Sequence, residues 1–227
     1  MKPEKAKAAG PDKRLIGQIL ARLEPEYGSP GGNPTGDPVS VLVETILSQN
    51  TSDANSSAAF KSLKSTFATW EDVANADASL IEECIHRGGL ARIKAPRIRA
   101  VLKEIIDKRG RLELDFLSQL SPPEAEEWLL KLPGVGRKTA RCVLLFALDI
   151  AVLPVDTHIW RVAKRLGLIS PHASTEEAHR LLGAAVPPES AYQFHTLLIA
   201  HGRRTCHPQR PRCPDCVLKR LCASYLL

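Results

Sequence analysis

Three groups of residues in this chain have the types and spacing that chemistry needs. The first is Leu132-Pro133-Gly134-Val135-Gly136-Arg137-Lys138-Thr139-Ala140. Two glycines flanking one apolar residue let the chain reverse tightly, with Val135 plugging the angle between two helices. The reversal presents the amides of Gly134, Gly136 and their neighbours at a helix N-terminus, where the positive helix end makes an anion site suited to a phosphate. Lys138 falls in the first turn of that helix. An accessible lysine amine can attack a sugar carbon and form a Schiff base; a plain phosphate contact is the alternative role. The second group is Val155-Asp156-Thr157-His158-Ile159. Asp156 reads first as an N-cap, and a capping carboxylate can still serve a neighbouring site as half of an acid/base pair with a lysine. The third is Cys206, Cys213, Cys216 and Cys222, spaced C-x6-C-x2-C-x5-C. Four thiolates in a loop rich in Arg and Pro read as a metal site, with tetrahedral zinc and an iron–sulfur cluster both allowed by the spacing.

The elements that must position these groups read as helices, and no strand pattern stands out. Leu15, Ile16, Ile19, Leu20 and Leu23 recur at helical spacing behind Asp12, a candidate N-cap, with Pro25 near the stop. Asp37-Pro38 reads as N-cap plus first helical residue for a helix through Val41, Leu42, Ile46 and Leu47. Further starts are marked by Thr69-Trp70-Glu71-Asp72, by Asp77, and by Ser121-Pro122-Pro123-Glu124 and Ser174-Thr175-Glu176-Glu177, the last two with capping-box spacing. Gly88-Gly89, Gly110, Gly167 and Gly183 are candidate stops. Short helices joined by short turns predict an all-α protein.

Composition sets the bounds. At 227 residues, with 44% hydrophobic and 25% charged residues, the chain has ordinary globular composition and excludes wholesale disorder. Its longest apolar runs, such as Val143–Leu148, fall well short of the roughly 20 residues a membrane span needs. No secretory signal is visible behind Met1, so the chain is expected to be cytoplasmic, or nucleoid-associated in a prokaryote; that setting argues against disulfides. The net charge is +6, and it is unevenly placed. Between His201 and Cys222 stand Arg203, Arg204, Arg210, Arg212, Lys219 and Arg220 against Asp215 alone, and Arg92, Lys94, Arg97, Arg99 and Lys103 form a second concentration. Such patches favour a polyanionic partner. Residues 1–11 are aperiodic and read as a flexible basic tail.

LPGVGRKTA followed by VDTHI resembles the endonuclease III family of base-excision DNA glycosylases, and the four C-terminal cysteines extend the resemblance over about residues 14–222. It implies a two-domain helix-hairpin-helix fold with a six-helix domain over 31–150, and a cluster domain of residues 12–30 plus 151–227. In that fold Lys138 and Asp156 would face one another across the inter-domain cleft. It implies a bifunctional glycosylase/AP lyase for oxidised pyrimidines. Lys138 would displace the damaged base from C1′ and form the imine that permits β-elimination, while Asp156 would assist the departing base. The cysteine spacing matches the family's [4Fe–4S] site, which selects that cluster over zinc.

The resemblance also places DNA contacts. Base chemistry inside a duplex requires the nucleotide to be extruded and the gap filled. Gly88-Gly89-Leu90-Ala91-Arg92-Ile93-Lys94-Ala95 resembles the wedge loop, with Leu90 intercalating; burial of Leu90 as a helix-end contact is the alternative. Many relatives carry an aromatic and then an asparagine where this chain has Ala91 and Arg92. Leu47-Ser48-Gln49-Asn50-Thr51-Ser52-Asp53 resembles the stretch whose amide fills the gap; matching on Asp53 selects Asn50, and matching on glutamine selects Gln49. Gly134, Val135, Gly136, Arg137, Arg92, Arg210 and Arg212 complete the expected interface. Cys84, Cys142, His158, His195 and His201 are assigned to no metal. The expected partner is double-stranded DNA with damaged bases or abasic sites, bound by a monomer. Related glycosylases for mismatched or other damaged bases are the nearest rivals, although those usually lack a lysine at position 138. A non-catalytic helix-hairpin-helix module leaves Asp156 without a role.

Overall fold

The computed structural model describes residues 11–31 and 36–226, so the expected tail over 1–11 lies, but for Pro11, outside the described residues. Helix α1 (Lys13–Tyr27) starts where Asp12 accepts a hydrogen bond from the Arg14 amide. Pro25 lies near its stop, as expected. The proline sits in the last turn, and the helix ends at Gly28, whose φ of 88° turns the chain while its amide bonds Glu24 C=O.

The chain divides into two compact units, residues 33–150 and residues 1–32 with 151–227. The first contains α2 (Pro38–Leu47), α3 (Asp53–Thr66), α4 (Trp70–Asn75), α5 (Ala78–Ile85), α6 (Ala91–Arg109), α7 (Pro122–Leu130) and α8 (Arg137–Ala147). Among the described residues of this unit these are the α-helices, the six-residue α4 being the shortest. Two carboxylate oxygens of Asp37 accept the Val39 and Ser40 amides and start α2. This helix is apolar on nearly every side: Val39, Leu42, Val43, Ile46 and Leu47 are all buried, as suits a helix enclosed by others. Its main neighbour is α8, which contributes Val143 and Leu144, while α5 and α6 pack Ile81, Ile85, Ile98, Leu102 and Ile105 into the same unit. Each such side chain contributes about 1.5–3 kcal/mol by leaving water.

The second unit adds α9 (Thr157–Leu166), α10 (Thr175–Ala185), α11 (Ala191–Arg204) and the short α12 (Ala223–Leu226) to α1. Phe194, Leu197 and Leu198 of α11 meet Ile159, Val162 and Leu166 of α9 and Ile16, Ile19 and Leu23 of α1. The approach of α11 to α9 is close enough to require glycine: a Cβ on Gly202 would stand 2.9 Å from that of His158. No strand occurs among the described residues, and no described helix is long and apolar enough to cross a membrane.

The helix signals hold unevenly. Gly110 and Gly167 end α6 and α9 in left-handed conformation. Gly183 lies inside α10, which continues to Ala185 because Leu182 and Ala185 still face the core. The reciprocal capping box forms at Ser121–Glu124 and, with aspartate, at Thr69–Asp72. At Ser174 the bond runs one way, from the Glu177 amide to the serine hydroxyl.

Candidate active site

The hairpin belongs to the 33–150 unit. After α7, Leu132 and Val135 are buried, the Val135 amide donates to Leu132 C=O at 3.2 Å, and Gly134 turns the chain with a φ of 71°. The Val135 amide is therefore used internally, and its side chain plugs the reversal as expected. Gly136 occupies the N-cap of α8 and brings no side-chain cap to the helix. Lys138 follows at the second helical position, half-buried. Arg137 and Arg141 both turn to Glu126, with Arg137 Nη1 3.0 Å from Oε1 and Arg141 Nε and Nη2 at 2.9 and 3.1 Å from its two oxygens. Glu126 is 8% exposed, so this cluster ties α7 to α8 from a shielded position. The Arg137 guanidinium is thereby held as a brace of the hairpin, while its backbone stands in the first turn of α8.

Two segments of the same unit carry the expected gap-filling residues. Asn50 and Leu90 both adopt left-handed backbone, with φ of 52° and 54°, which non-glycine residues rarely do. Leu90 is 48% exposed and Ile93, one turn further, is 53% exposed, so neither is a core contact. Asn50 is exposed, whereas Gln49 is engaged: its Oε1 accepts from Arg97 Nη1 at 3.0 Å and its Nε2 donates to Thr139 Oγ1 at 3.4 Å. Arg92 projects into solvent, with one 3.3 Å contact to Glu82.

In the other unit, Asp156 is the N-cap of α9, its Oδ1 accepting the Ile159 amide at 2.8 Å. Val155 and Pro154 beneath it are buried, and His195 Nδ1 donates to Pro154 C=O at 2.9 Å. Burial holds the His158 imidazole below its ordinary pKa, against the opposing pull of the Asp156 carboxylate. Arg161 donates to Gly202 C=O at 2.8 Å and to Cys206 C=O at 3.0 Å, tying α9 to α11 and to the cysteine loop.

Cys206, Cys213, Cys216 and Cys222 line one cavity of about 180 Å³ together with Val162, Leu166 and His201. None of the six cysteines forms a disulfide. Arg165 Nη1 lies 3.2 Å from Cys206 Sγ, and the same guanidinium donates to His207 C=O at 2.6 Å and Pro208 C=O at 2.9 Å. The Leu218 amide donates to Cys216 Sγ at 3.4 Å. Burial raises the Cys216 and Cys222 thiols, and burial with Arg161 pushes His201 down to about 4. A single zinc at about 2.3 Å would draw four sulfurs within ~4 Å of one another. Among the described residues no three His, Cys, Asp or Glu side chains gather to hold one ion. Four thiols around one cavity, with an arginine against one of them, form a donor set of the kind that holds a metal group. Arg210, with φ of 52°, and Arg212 are exposed on the loop.

Comparison with known proteins now adds to this geometry. The family described as HhH-GPD superfamily base excision DNA repair protein matches residues 43–188. The endonuclease III of Thermotoga maritima is 35% identical over 196 residues, 86% of this chain and 87% of that protein. The chain belongs to the HhH-GPD superfamily, in its endonuclease III family. A candidate DNA glycosylase of Arabidopsis thaliana is 43% identical over 162 residues, 71% of this chain; the match spans 55% of that longer protein. A trapped covalent intermediate of endonuclease III with DNA superposes with a TM-score of 0.82 at 31% identity, covering 95% of this chain and 97% of the other. This member of the superfamily is a DNA glycosylase of base excision repair.

Two residues of this glycosylase escaped the sequence reading. Lys94 and Arg97 stand in the basic concentration of the sequence, Lys94 also in the wedge-loop segment, with no internal role expected, yet Lys94 is 1% exposed and Arg97 holds Gln49. A signal was present: Lys94 stands in register with Ile98, Val101, Leu102 and Ile105, the buried stripe of α6.

Proposed function

We propose that this chain is a bifunctional DNA glycosylase/AP lyase that removes oxidised pyrimidines from double-stranded DNA, acting as a monomer. Lys138, a half-buried amine in the first turn of a helix left without a side-chain cap, carries the reading. Deprotonated, its Nζ attacks C1′; the glycosidic bond breaks and the base leaves with the electron pair and a proton. The C1′–O4′ bond breaks with its electron pair and a proton going to O4′, which gives the imine; in its protonated form the imine draws electrons so that the C2′ proton departs and the C3′–O bond breaks, the phosphate leaving with that pair. Asp156, oriented by its bond to the Ile159 amide, steadies the positive charge that develops on the sugar and takes part in the proton transfers.

The hairpin amides and the helix end behind Gly134 and Gly136 hold a backbone phosphate. Exposed Leu90 enters the stack, and Arg92 lies beside it. Asn50 is favoured over Gln49 as the gap-filling amide, because the Gln49 amide is already bonded on both sides. Cys206, Cys213, Cys216 and Cys222 hold a [4Fe–4S] cluster, which braces the loop covalently and presents Arg210 and Arg212 to the DNA backbone. Absorption in the violet–blue region, lost in Cys213→Ser, tests the cluster; a colourless protein carrying zinc overturns that assignment.

Borohydride trapping on one duplex with a thymine glycol and another with an abasic site tests the chemistry. A covalent complex on both, absent in Lys138→Gln, is the expected outcome. Trapping on the abasic duplex alone keeps the lyase and moves the lesion class elsewhere. With DNA binding intact and no trapping on either, the lysine is not a nucleophile and the bifunctional reading fails.

A further inference from the structure

The N-terminal half of α6 carries a cation that does not face solvent. Lys94 Nζ donates to Leu47 C=O at 2.7 Å and to Gly88 C=O at 2.9 Å, and its side chain is 1% exposed. Those carbonyls are the terminal groups of two helical segments, α2 and the 3-10 turn His86–Gly88. Helix C-terminal carbonyls lack partners and favour a cation, so one ammonium caps both ends at once. Three residues beyond the first end and two beyond the second stand residues in left-handed backbone, Asn50 and Leu90. Such conformations persist only where the surroundings over-determine them. Burial lowers the Lys94 pKa, as expected of an amine removed from water.

Arg97, one turn along, extends the arrangement. Its Nη1 bonds the Gln49 amide, and Gln49 in turn reaches Thr139, the neighbour of Lys138. The arginine stem passes over the hairpin so closely that a Cβ on Gly134 would lie 2.5 Å from Arg97 Nε. The segments around Gln49 and Leu90 are thus bonded to consecutive turns of one helix, and the hairpin at Gly134 packs against the second of them.

We propose that Lys94 and Arg97 are positioning residues that lock the Asn50, Leu90 and hairpin segments in their working arrangement before DNA binds. The inference rests on the reading of Asn50 and Leu90 as the groups that fill the space of an everted nucleotide. Neither residue touches the reacting atoms. Their effect is to spare the enzyme from ordering two loops while a base pair is being opened, so it belongs to eversion and not to the chemistry of the sugar.

The test is Lys94→Met, which keeps the length and apolar stem and removes the donors. Single-turnover excision from a thymine-glycol duplex is compared with scission of a single-stranded abasic oligonucleotide, where there is no base to evert and no gap to fill. Excision should fall on the order of 10²-fold, the scale set by misplacing a catalytic constellation, while single-strand scission stays within about twofold. In a Leu90→Ala background the same change should cost less than about threefold, because both substitutions act through one loop. Equal losses on both substrates, or full additivity with Leu90→Ala, would mean that Lys94 is only a core residue. Should Lys94→Met not fold, hydrogen exchange of the unaltered protein decides. Protection of the hydrogen-bonded amides of Gln49, Gly89, Ile93 and Lys94 comparable to the middle of α6 supports preorganisation, and exchange at unstructured rates overturns it. An unaltered protein inactive on both substrates refutes the proposed activity, and the exchange measurement then judges the clamp alone.

Discussion

Helices α8 and α9 begin in opposite ways. Every helix opens with amides that have no partner within it. In α9, Asp156 closes that end with its own carboxylate, 2.8 Å from the Ile159 amide. In α8 the corresponding position is Gly136, which has no side chain to offer, and the residue two places on is a lysine. A capped start uses its donors to orient one acid, so the carboxylate proposed for catalysis is fixed by the same bond that stabilises the helix. An uncapped start leaves its donors for another partner, and the proposed function gives them to a DNA phosphate. One physical shortage thus serves two purposes, and the residue at the N-cap decides which.

The comparison can be broken at either end. The largest effect is expected for Asp156→Asn: asparagine caps nearly as well, so thermal stability should stay close to that of the unaltered protein while excision falls about 10²–10⁴-fold. If excision persists, the carboxylate is a cap and nothing more. Gly136→Asp would make α8 begin as α9 does. The backbone there, φ −94° and ψ 172°, accepts any residue, and a Cβ would meet nothing within 4 Å. Stability should hold or rise slightly, while duplex affinity drops roughly tenfold and depends less steeply on salt. Unchanged affinity in a salt titration would show that the hairpin amides do not hold phosphate.

A smaller effect sharpens the same point at α7, which feeds the hairpin. Its start is closed by the Ser121–Glu124 box, and the serine hydroxyl and amide hold the Glu124 carboxyl below its ordinary pKa. A carboxyl whose pKa is lowered on folding contributes stability above its unfolded value and loses it as pH falls through the folded one. Amide exchange in the first turn of α7, corrected for its intrinsic rate, should therefore accelerate below about pH 4. Glu124→Gln should remove that pH step, and a step that survives the substitution assigns it to another group.

Local chemistry was legible where a residue acts on its own neighbours. Asp12, Asp37 and Ser121 cap the helices their spacing promised, and Gly110 and Gly167 end theirs. The reading failed where packing outweighs a local signal. Gly183 is carried inside α10 between buried Leu182 and Ala185. It also gave three basic residues no internal partner. Arg137 answers to Glu126, Arg97 to Gln49, and Lys94 to two carbonyls that lie 47 and 6 residues away in sequence.

By itself the sequence determined that this chain is all helical, where most of its helices start, where the glycine hairpin and its lysine fall, and which family they resemble, because all of these follow from residue type and short spacing. Only the tertiary structure decided which cations are surface charge and which are internal braces, and that the Gln49 side chain is bonded to Arg97 and Thr139. Those distinctions depend on burial and on partners far along the chain, and burial is a property of packed elements that no single residue carries.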